Sequence, residues 1–493
     1  MADNLPDDLR QIDPQQAWQA APPEIWNWKW ACHLYRRASF GTSSVILRQA
    51  VQEGLHATLD RLIGKSPQAM RWAQLMEDTG RAFASKGDED SLRAWWHYFM
   101  LQSGDPVREK LTLFWHNHFA TSIAKVGRAD LMLGQNLMQR RQAFGQFGQL
   151  LRAISRDPAM LIWLDSNQNV KSQPNENYGR EMLELFSLGV GNYTEADVRE
   201  TARAFTGWNS DSHGDQFEFH PEQHDSGPKT VLGQKGNWDG DDLIRIVLEQ
   251  PACALFLVRK LYRFYVSETD PPPTLLQPLA EQFHKSKYEV APLLRTILSS
   301  RLFFSQHAYR QRIKSPVELV LGMVLANLPG PVPPGAFVDA LDAMGQALFA
   351  PPNVRGWTGG RNWLNHATIL ARHNFADSVA MGKLPIADGV PVKSVVVARK
   401  VAGELGVPAA IEIPVEPAPA FDCVTYLRNE KPLSPTEIVE RLSENLLDGE
   451  IAPAAKARLV AFVAEGKPQD KALDNRIRET VHAIMCMPEY QLA

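Results

Sequence analysis

Cysteine is scarce in this sequence. Only four cysteines occur among 493 residues, namely Cys32, Cys253, Cys423 and Cys486, and they lie far apart without a CxxC pair. This spacing excludes a dense disulfide framework and a CxxC metal or redox motif. The thiols are therefore expected to act as small apolar residues in a reducing compartment.

Long apolar runs are also missing. No window approaches the roughly 18 consecutive apolar residues that a membrane-spanning helix needs, so no membrane span is predicted. The first residues, MADNLPDDLRQIDP, are acidic and polar, unlike a signal peptide. A stretch similar to a twin-arginine signal, YRRASFG at 35–41, lies too deep in the chain and precedes no long apolar run. The sequence therefore predicts a cytoplasmic protein.

A basic excess and the common nucleotide motifs are absent. The net charge is -4, so no nucleic-acid partner is predicted. No GxGxxG follows a predicted strand, and the GKS at 64–66 lacks the glycine that a P-loop places five positions earlier. GxSxG and HExxH are missing as well. Ordinary dinucleotide-binding, P-loop, serine-hydrolase and zincin classes are thereby excluded.

Helical periodicity is the main pattern that the sequence does contain. Segments such as SLRAWWHYFMLQ and VREKLTLFWHNHF repeat apolar residues at intervals of three and four. Residues 209–240 instead alternate and then carry glycine and proline, which indicates a small hairpin or loop excursion. The predicted fold class is mainly α, a multi-helix body with one small β-hairpin excursion and a C-terminal helical segment.

Composition divides the chain into four segments. Residues 1–27 are rich in proline, aspartate and glutamine and are expected to form an extended N-terminal arm. Residues 28–382 are the main helical domain, and residues 383–433, rich in valine, proline and alanine, are a linker or insertion. Residues 434–493 are C-terminal helices packing on the main domain, beginning with the capping sequence SPTE at Ser434.

The stretch NENYGREMLELFSLGVGNYTEADVRETARAFTGW, residues 175–208, predicts a helical hairpin. Asn175 is a candidate N-cap, and Gly189 ends the first helix. Thr194 and Asp197 form a capping-box-like start for the second helix. The sequence therefore places many charged residues on two short, adjacent helices.

The charged residues of this hairpin have two interpretations. They can form a salt-bridge network that fixes the angle between the helices. They can instead line a site, with Glu181 and Glu184 as metal ligands or acid/base groups and Arg180 as a substrate-binding group. Both interpretations remain open at this point.

Two histidines precede the hairpin, His116 and His118 in WHNHF. On a helix they point about 200° apart and cannot bind one ion together, whereas in a strand or an irregular turn they could. A divalent metal with mixed nitrogen and oxygen ligands is nevertheless a candidate cofactor, with His116, His118 and Glu181 as the ligand set. The alternative is that both histidines are hydrogen-bonded structural residues.

A second candidate group follows the hairpin, in HPEQHDSGPKT. A loop there can present His224 and Asp225 to a site as catalytic residues, with Lys229 as an anion-binding neighbour. The pair His220 and His224 has helical metal-site spacing, but Pro221 favours loop or strand, which weakens that interpretation.

Arginines supply the remaining candidates for substrate binding. Arg36 and Arg37 in HLYRRASFG suit carboxylate or phosphate recognition, although salt bridges to the acidic hairpin are the favoured alternative. Arg355 and Trp357 lie in PPNVRGWTGGRNWLN, a loop that either borders a ligand site or is packed for structure.

Six motifs together resemble a known family. HLYRRASFG, LTLFWHNHFA, the 175–208 stretch, HDSGPKTVLG, FAPPNVRGW and MPEYQ are similar to the bacterial family catalogued as domain of unknown function 1800. Many relatives begin with an export signal and are encoded beside a sulfatase-like protein. The resemblance therefore implies a sulfatase-like partner, while the missing signal departs from the family's pattern.

Two functions remain as hypotheses. The first is a metal-dependent enzyme of unknown reaction, with a polar pocket lined by residues 116–118, 180–203 and 220–229. The second is a non-catalytic accessory or binding protein. An enzyme requires these motifs to converge in one concave pocket with perturbed titratable groups, whereas a binding protein does not.

Overall fold

The computed structural model describes residues 5–64, 67–85, 87, 89–327, 334–383, 424, 427 and 433–493. Apart from residues 383, 424, 427 and 433, the predicted linker or insertion at 383–433 lies outside the described residues.

The described part of the chain is mainly helical, as the sequence predicts. Its α-helices are α1 Pro14–Ala17, α2 Trp28–Ala38, α3 Ser44–Glu53, α4 Leu55–Ile63, α5 Pro67–Ala84, α6 Glu89–Gln102, α7 Pro106–His118, α8 Ile123–Val126, α9 Ala129–Gln142, α10 Phe147–Ser155, α11 Pro158–Trp163, α12 Glu176–Glu181, α13 Glu195–Ala204, α14 Gly240–Leu248, α15 Pro251–Tyr265, α16 Pro273–Lys285, α17 Val290–Ser299, α18 Pro316–Asn327, α19 Val338–Ala343, α20 His366–Ala380, α21 Pro435–Leu447, α22 Pro453–Ala464 and α23 Asp470–Met485. A π-helix, Met182–Ser187, continues α12.

Short 3-10 turns complete the helical elements. They span Leu9–Gln11, Pro23–Ile25, Ser166–Gln168, Pro221–Gln223, Pro334–Phe337, Gly360–Trp363 and Pro488–Gln491. Within the described ranges, no helix has the length and apolar character to cross a membrane.

The β-strands of the described residues form two small hairpins. β1 (Trp208–Ser210) pairs antiparallel with β2 (Phe217–Phe219), and β3 (Lys229–Val231) pairs antiparallel with β4 (Gln234–Gly236). Trp208 lies opposite Phe219 in the first, and Lys229 opposite Gly236 in the second. The mainly α prediction with a small β excursion is confirmed, and the excursion contains two hairpins where the sequence predicts one.

Local capping signals are confirmed wherever the structure describes them. Thr194 and Asp197 form a reciprocal capping box at the start of α13, and Ser434 and Glu437 form another at the start of α21. Each box satisfies backbone N–H groups that a helix terminus otherwise leaves unpaired. Asn175 caps α12 through its side chain.

Residues 5–27 pack against the body in short helical turns. Ala17 and Ala21 are buried, and the Trp18 indole donates to the Leu275 carbonyl at 2.7 Å. The Ala21 amide donates to the Ser299 carbonyl at 2.8 Å. The tryptophan therefore anchors this segment by both its apolar ring and its N–H group.

Helix α7 lies between two hydrophobic cores. Trp115 belongs to the first core, with Phe147 and Leu257, whereas Leu113 belongs to the second, with Trp96 and Val320. Opposite faces of α7 therefore contact different sets of helices, and its central residues are almost all buried.

A buried charge cluster fixes α7 against α18. Lys110 Nζ lies 2.6 Å from Glu318 Oε1, and Arg312 Nη1 lies 3.0 Å from the same oxygen. Burial raises the pKa of Glu318, but Arg312 and Lys110 outweigh it and hold the pKa well below its usual range. Lys110 also donates to the Ser39 carbonyl at 2.8 Å, which adds the end of α2 to the cluster.

A second ion pair joins α2 to the C-terminal helices. Nη1 and Nη2 of Arg36 both donate to Asp448, which also accepts from the Tyr309 hydroxyl at 3.0 Å. Arg37 is fully buried and donates to the main-chain oxygens of Tyr265 and Ala493, each at 2.9 Å. The prediction that these arginines pair with the acidic hairpin is therefore wrong, because both are turned inward from α2.

We expect Asp448→Asn to lower the free energy of unfolding by about 3 kcal/mol, because it leaves the Arg36 charge without its counter-charge in a buried site. Asparagine tolerates the left-handed backbone conformation of residue 448 (φ 61°), so lost charge rather than strain is measured. Chemical denaturation gives the value.

Asp215→Asn is the matched control, since Asp215 forms an exposed pair with Arg128. It should cost less than about 1 kcal/mol. Equal losses in the two variants would contradict a special role for the buried pair.

Candidate functional site

A cleft of about 750 Å³ opens where α7 and α15 end. The loop at 355–363 forms one wall, and residues 311–315 contribute to its lining. Buried rings face the cleft from this loop, Trp357 and Trp363, and from α7, Phe114. Of the candidate residues, His118, Arg355 and Trp357 line it.

Asn117 on α7 holds the cleft loop in place. Its side-chain oxygen accepts the Trp357 amide at 2.7 Å, and its side-chain nitrogen donates to the Trp357 carbonyl at 3.3 Å. Gly356 has φ of 72°, and a Cβ there would lie 2.2 Å from Asn117 Oδ1. Glycine is therefore required at 356 both for backbone conformation and for close approach.

His116 points away from the cleft into the second core. Its Nε2 accepts the Phe349 amide at 3.2 Å, and the ring packs against Trp96 with centroids 5.1 Å apart. Burial lowers the pKa of His116 to about 3. His116 is thus a neutral, hydrogen-bonded core residue in this structure.

His118 lies on the opposite side of α7 and lines the cleft. Its Nε2 lies 3.0 Å from the Phe186 carbonyl, and since a carbonyl only accepts, Nε2 carries the proton. Burial, together with the charge of Lys260, holds the pKa of His118 well below its usual range. Nδ1 is buried and has no hydrogen-bond partner among the described residues, so it is an unsatisfied acceptor.

The π-helix 182–187 supplies the carbonyls that position two cleft residues. The Phe186 carbonyl contacts His118, and the Leu185 carbonyl lies 3.4 Å from Lys260 Nζ. Carbonyls in the last turn of a helix lack intrahelical partners, so side-chain donors can take them. Single π-helical turns occur frequently at functional sites.

Lys260 on α15 is the cationic residue of the cleft whose pKa is shifted most. It is half-buried beside the Phe256 ring, with Nζ 5.2 Å from the ring centroid. No acidic side chain among the described residues forms an ion pair with it, and burial lowers its pKa to about 7. A large share of this amine is therefore neutral at physiological pH.

The lining of the cleft carries an excess of positive charge. Glu268 is the acidic residue of the lining, whereas the cationic residues are Lys260, Arg263, Arg312, Arg355 and Arg361. Arg312 is paired with Glu318, and Arg263 with Asp270 at 3.3 Å. Lys260 and Arg361 have no acidic partner within the part of the chain that the structure describes.

The two glutamates of the hairpin do not line the cleft, but Glu184 contacts Arg355, which does. Glu184 Oε2 accepts the Tyr193 hydroxyl at 2.7 Å, and Oε1 lies 3.4 Å from Arg355 Nη2. Burial and the charge of Glu184 raise the pKa of Glu181, while Arg355 and Arg180 oppose the rise. Arg355 thus connects the predicted acidic pair to the cleft wall.

Arg180 belongs to an exposed network. It donates to Glu195 at 2.7 Å and to Glu176 at 3.1 Å, across the helical hairpin of α12 and α13. It does not line the cleft. Its contacts agree with the structural interpretation of the hairpin charges.

Residues 224–229 form a separate, closed network. Asp225 accepts Arg203 Nε at 2.7 Å and the Gly227 amide at 2.9 Å, and His224 Nδ1 lies 2.9 Å from the Thr206 carbonyl. Lys229 is buried and donates to the carbonyls of Asp225 and Gly227. None of residues 220–229 lines the cleft, so the structure separates this loop from the other motifs.

The donors at the cleft do not fit a divalent metal. No group of three or more histidine, cysteine, aspartate or glutamate side chains is placed to hold an ion, within the described ranges. His116 and His118 lie on opposite sides of α7, as the helical spacing predicts. The protonated nitrogen of His118, Nε2, donates a hydrogen bond to the Phe186 carbonyl.

Sequence reasoning missed the two cations of the cleft, Lys260 and Arg361, that have no acidic partner among the described residues. Lys260 lies in the helical segment LFLVRKLYRF, whose apolar periodicity gives no sign that one lysine is desolvated. Arg361 belongs to the quoted loop motif, where the two preceding glycines indicated irregular backbone but not a direction for the side chain.

Asp225→Ala is expected to lower the free energy of unfolding by about 1–2 kcal/mol, because Arg203 and the Gly227 amide lose their acceptor. Asp241→Ala is the control, since Asp241 pairs with Arg152 and Arg156 at the surface. Urea unfolding of both variants checks the difference. An unchanged stability in Asp225→Ala would contradict the closed network.

Lys260→Met is expected to stabilise the protein, most strongly below pH 7. A lysine pKa that is lower in the folded than in the unfolded state destabilises the fold fully below the folded pKa. The penalty declines as pH rises from about 7 toward the unfolded value. We expect a gain of about 1–2 kcal/mol at pH 6 that shrinks by pH 9.

Denaturant melts of wild type and Lys260→Met across this pH range measure the gain. A stability difference that is independent of pH would show that Lys260 titrates normally.

Comparison with known proteins identifies the family to which the chain belongs. No curated protein matches the chain, and no solved structure matches it. One family does match, described as "Protein of unknown function (DUF1800)", over residues 33–492. This span contains α7, α15 and the loop at 355–363, which line the cleft, and the helical hairpin, whose Glu184 contacts Arg355 of that loop. The match covers nearly the whole sequence, and the chain therefore belongs to the DUF1800 family.

Proposed function

We propose that the cleft binds an anionic ligand, a carboxylate or a sulfate or phosphate ester with an apolar portion. The observation that carries the proposal is the excess of cationic over acidic residues in the lining, in which the permanently charged Arg361 has no acidic partner among the described residues. The chain as a whole is slightly acidic, with net charge -4, so this positive surface is a local departure.

The residue types suit such a ligand. Arginine presents a planar fork of donors that matches carboxylate and phosphate oxygens, and Arg355 and Arg361 are exposed at the cleft mouth. The rings of Trp357 and Trp363 offer apolar surface deeper in the cleft. A concave site with aromatic walls and a few charged groups is typical of small-molecule binding.

A more specific version of this proposal is that the protein is an enzyme that acts on the bound anion. Glu181 is the candidate acid or base, supported by its raised pKa and its proximity to Arg355. The proposed activity does not include the predicted metal ion, because the donors at the cleft do not fit one. The alternative is an accessory protein that holds an acidic group of a partner, and a sulfatase-like partner stays a prediction.

Arg361→Ala is expected to weaken anion binding about tenfold or more, because it removes a charge-assisted contact at the cleft mouth. Isothermal titration calorimetry with sulfate, phosphate and benzoate, at low and at physiological ionic strength, measures the affinity. Higher salt should weaken binding of all three probes.

The control is Arg245→Ala, which removes an exposed arginine of α14 that pairs with Glu249. Its affinity should equal that of wild type. An equal loss in the two variants, or no binding of any probe to wild type at low salt, overturns the proposal.

A further inference from the structure

Lys260 combines three features that a simple anion anchor does not need. It projects into the cleft from α15, a 15-residue helix packed in the first core. Its Nζ lies beside an aromatic ring, and no carboxylate of the described residues pairs with it. Its nearest polar contact is a carbonyl, that of Leu185, which accepts a hydrogen bond equally well from a neutral amine.

A lysine in such a place is suited to nucleophilic chemistry. Desolvation by an apolar environment without a counter-ion favours the neutral amine, which is the form that attacks a carbonyl carbon. The pKa of about 7 agrees with this geometry. Lysines in ion pairs at the surface, such as Lys456 with Glu440, lack this environment.

We propose that Lys260 forms an imine with a carbonyl compound bound in the cleft, with preference for aldehydes or 2-oxo acids that also carry an anionic group. The preference for an anion rests on the proposed function, since the cleft arginines would hold the carboxylate, sulfate or phosphate. The aldehyde or ketone carbon would then lie against the amine.

The covalent step balances without any further reactant. Lys260 Nζ attacks the carbonyl carbon, a C–N bond forms, and the carbonyl π pair moves to oxygen, which takes up a proton. The amine loses a proton, and the resulting carbinolamine releases its hydroxyl with one proton as water. A C=N bond remains between lysine and ligand.

His118 is placed to assist as a positioning residue. It lines the same cleft, its Nε2 proton is fixed on the Phe186 carbonyl, and its Nδ1 is an acceptor without a partner among the described residues. A carbinolamine hydroxyl is a donor of the type that this nitrogen requires. A neutral histidine would thus hold the hydroxyl of the carbinolamine, whereas the ligand's carbonyl oxygen, itself an acceptor, makes no hydrogen bond to this nitrogen.

The test is reductive trapping with two matched probes. Wild-type protein is treated at several pH values between 6 and 9 with sodium cyanoborohydride and either glyoxylate, an anionic aldehyde, or formaldehyde, a neutral one. Peptide mass mapping measures the modification of each lysine. We expect Lys260 to be modified at least tenfold faster than Lys456 by both probes, and its rate to level off above about pH 7.

Variants separate the two proposals. Lys260→Arg retains the positive charge and should bind sulfate but show no trapping at this position. Arg361→Ala should slow trapping of glyoxylate and leave trapping of formaldehyde unchanged. These results together would support both the imine and the anion preference.

Contrary outcomes are also distinct. Sulfate binding by wild type without preferential trapping at Lys260 overturns the imine and leaves the anion site intact. Rapid formaldehyde trapping at Lys260, with no sulfate binding and no effect of Arg361→Ala on glyoxylate, overturns the anion site and leaves the amine reactive. Trapping of Lys260 with the pH dependence of Lys456 overturns the imine proposal as well.

Discussion

Glu318 is the buried charge on which the position of helix α7 depends. Lys110 of α7 and Arg312, in the loop before α18, both contact one oxygen of this carboxylate. The Ser315 amide donates to the other oxygen at 2.7 Å. Removing any one partner would leave an unpaired charge in the interior, so the cluster allows few alternative arrangements. Because α7 also separates the two hydrophobic cores, its axis and rotation are both fixed.

The cleft follows from that fixed helix. The last residues of α7 place Asn117 against the cleft loop and His118 against the π-helix, while His116 is turned into the opposite core. Arg312 contributes to the cleft lining and to the Glu318 cluster at once, so the wall and the core share a residue. The charges of the helical hairpin divide accordingly: Arg180 ties α12 to α13, whereas Glu184 faces Arg355 at the cleft.

Local features of the fold could be predicted from sequence, and long-range pairing could not. The capping boxes at Thr194 and Ser434 involve residues three positions apart, so the local sequence is sufficient to predict them. The divergence of His116 and His118 follows from helix geometry alone. By contrast, Arg36 pairs with Asp448, 412 positions away, and several acidic residues were equally plausible partners. The environment of Lys260 depends on a π-helix and on packing around Phe256, neither of which leaves a pattern in the sequence.

The clamp between Asn117 and the main chain of Trp357 has a consequence for the thermodynamics of binding. A loop that is already held at both its amide and its carbonyl, next to a glycine that admits no side chain, has little conformational entropy left to lose. A ligand entering the cleft would therefore not have to order this wall, and less of its interaction energy would be consumed in doing so. Such a site discriminates by shape, since a ligand that does not match the existing wall gains nothing from loop adjustment.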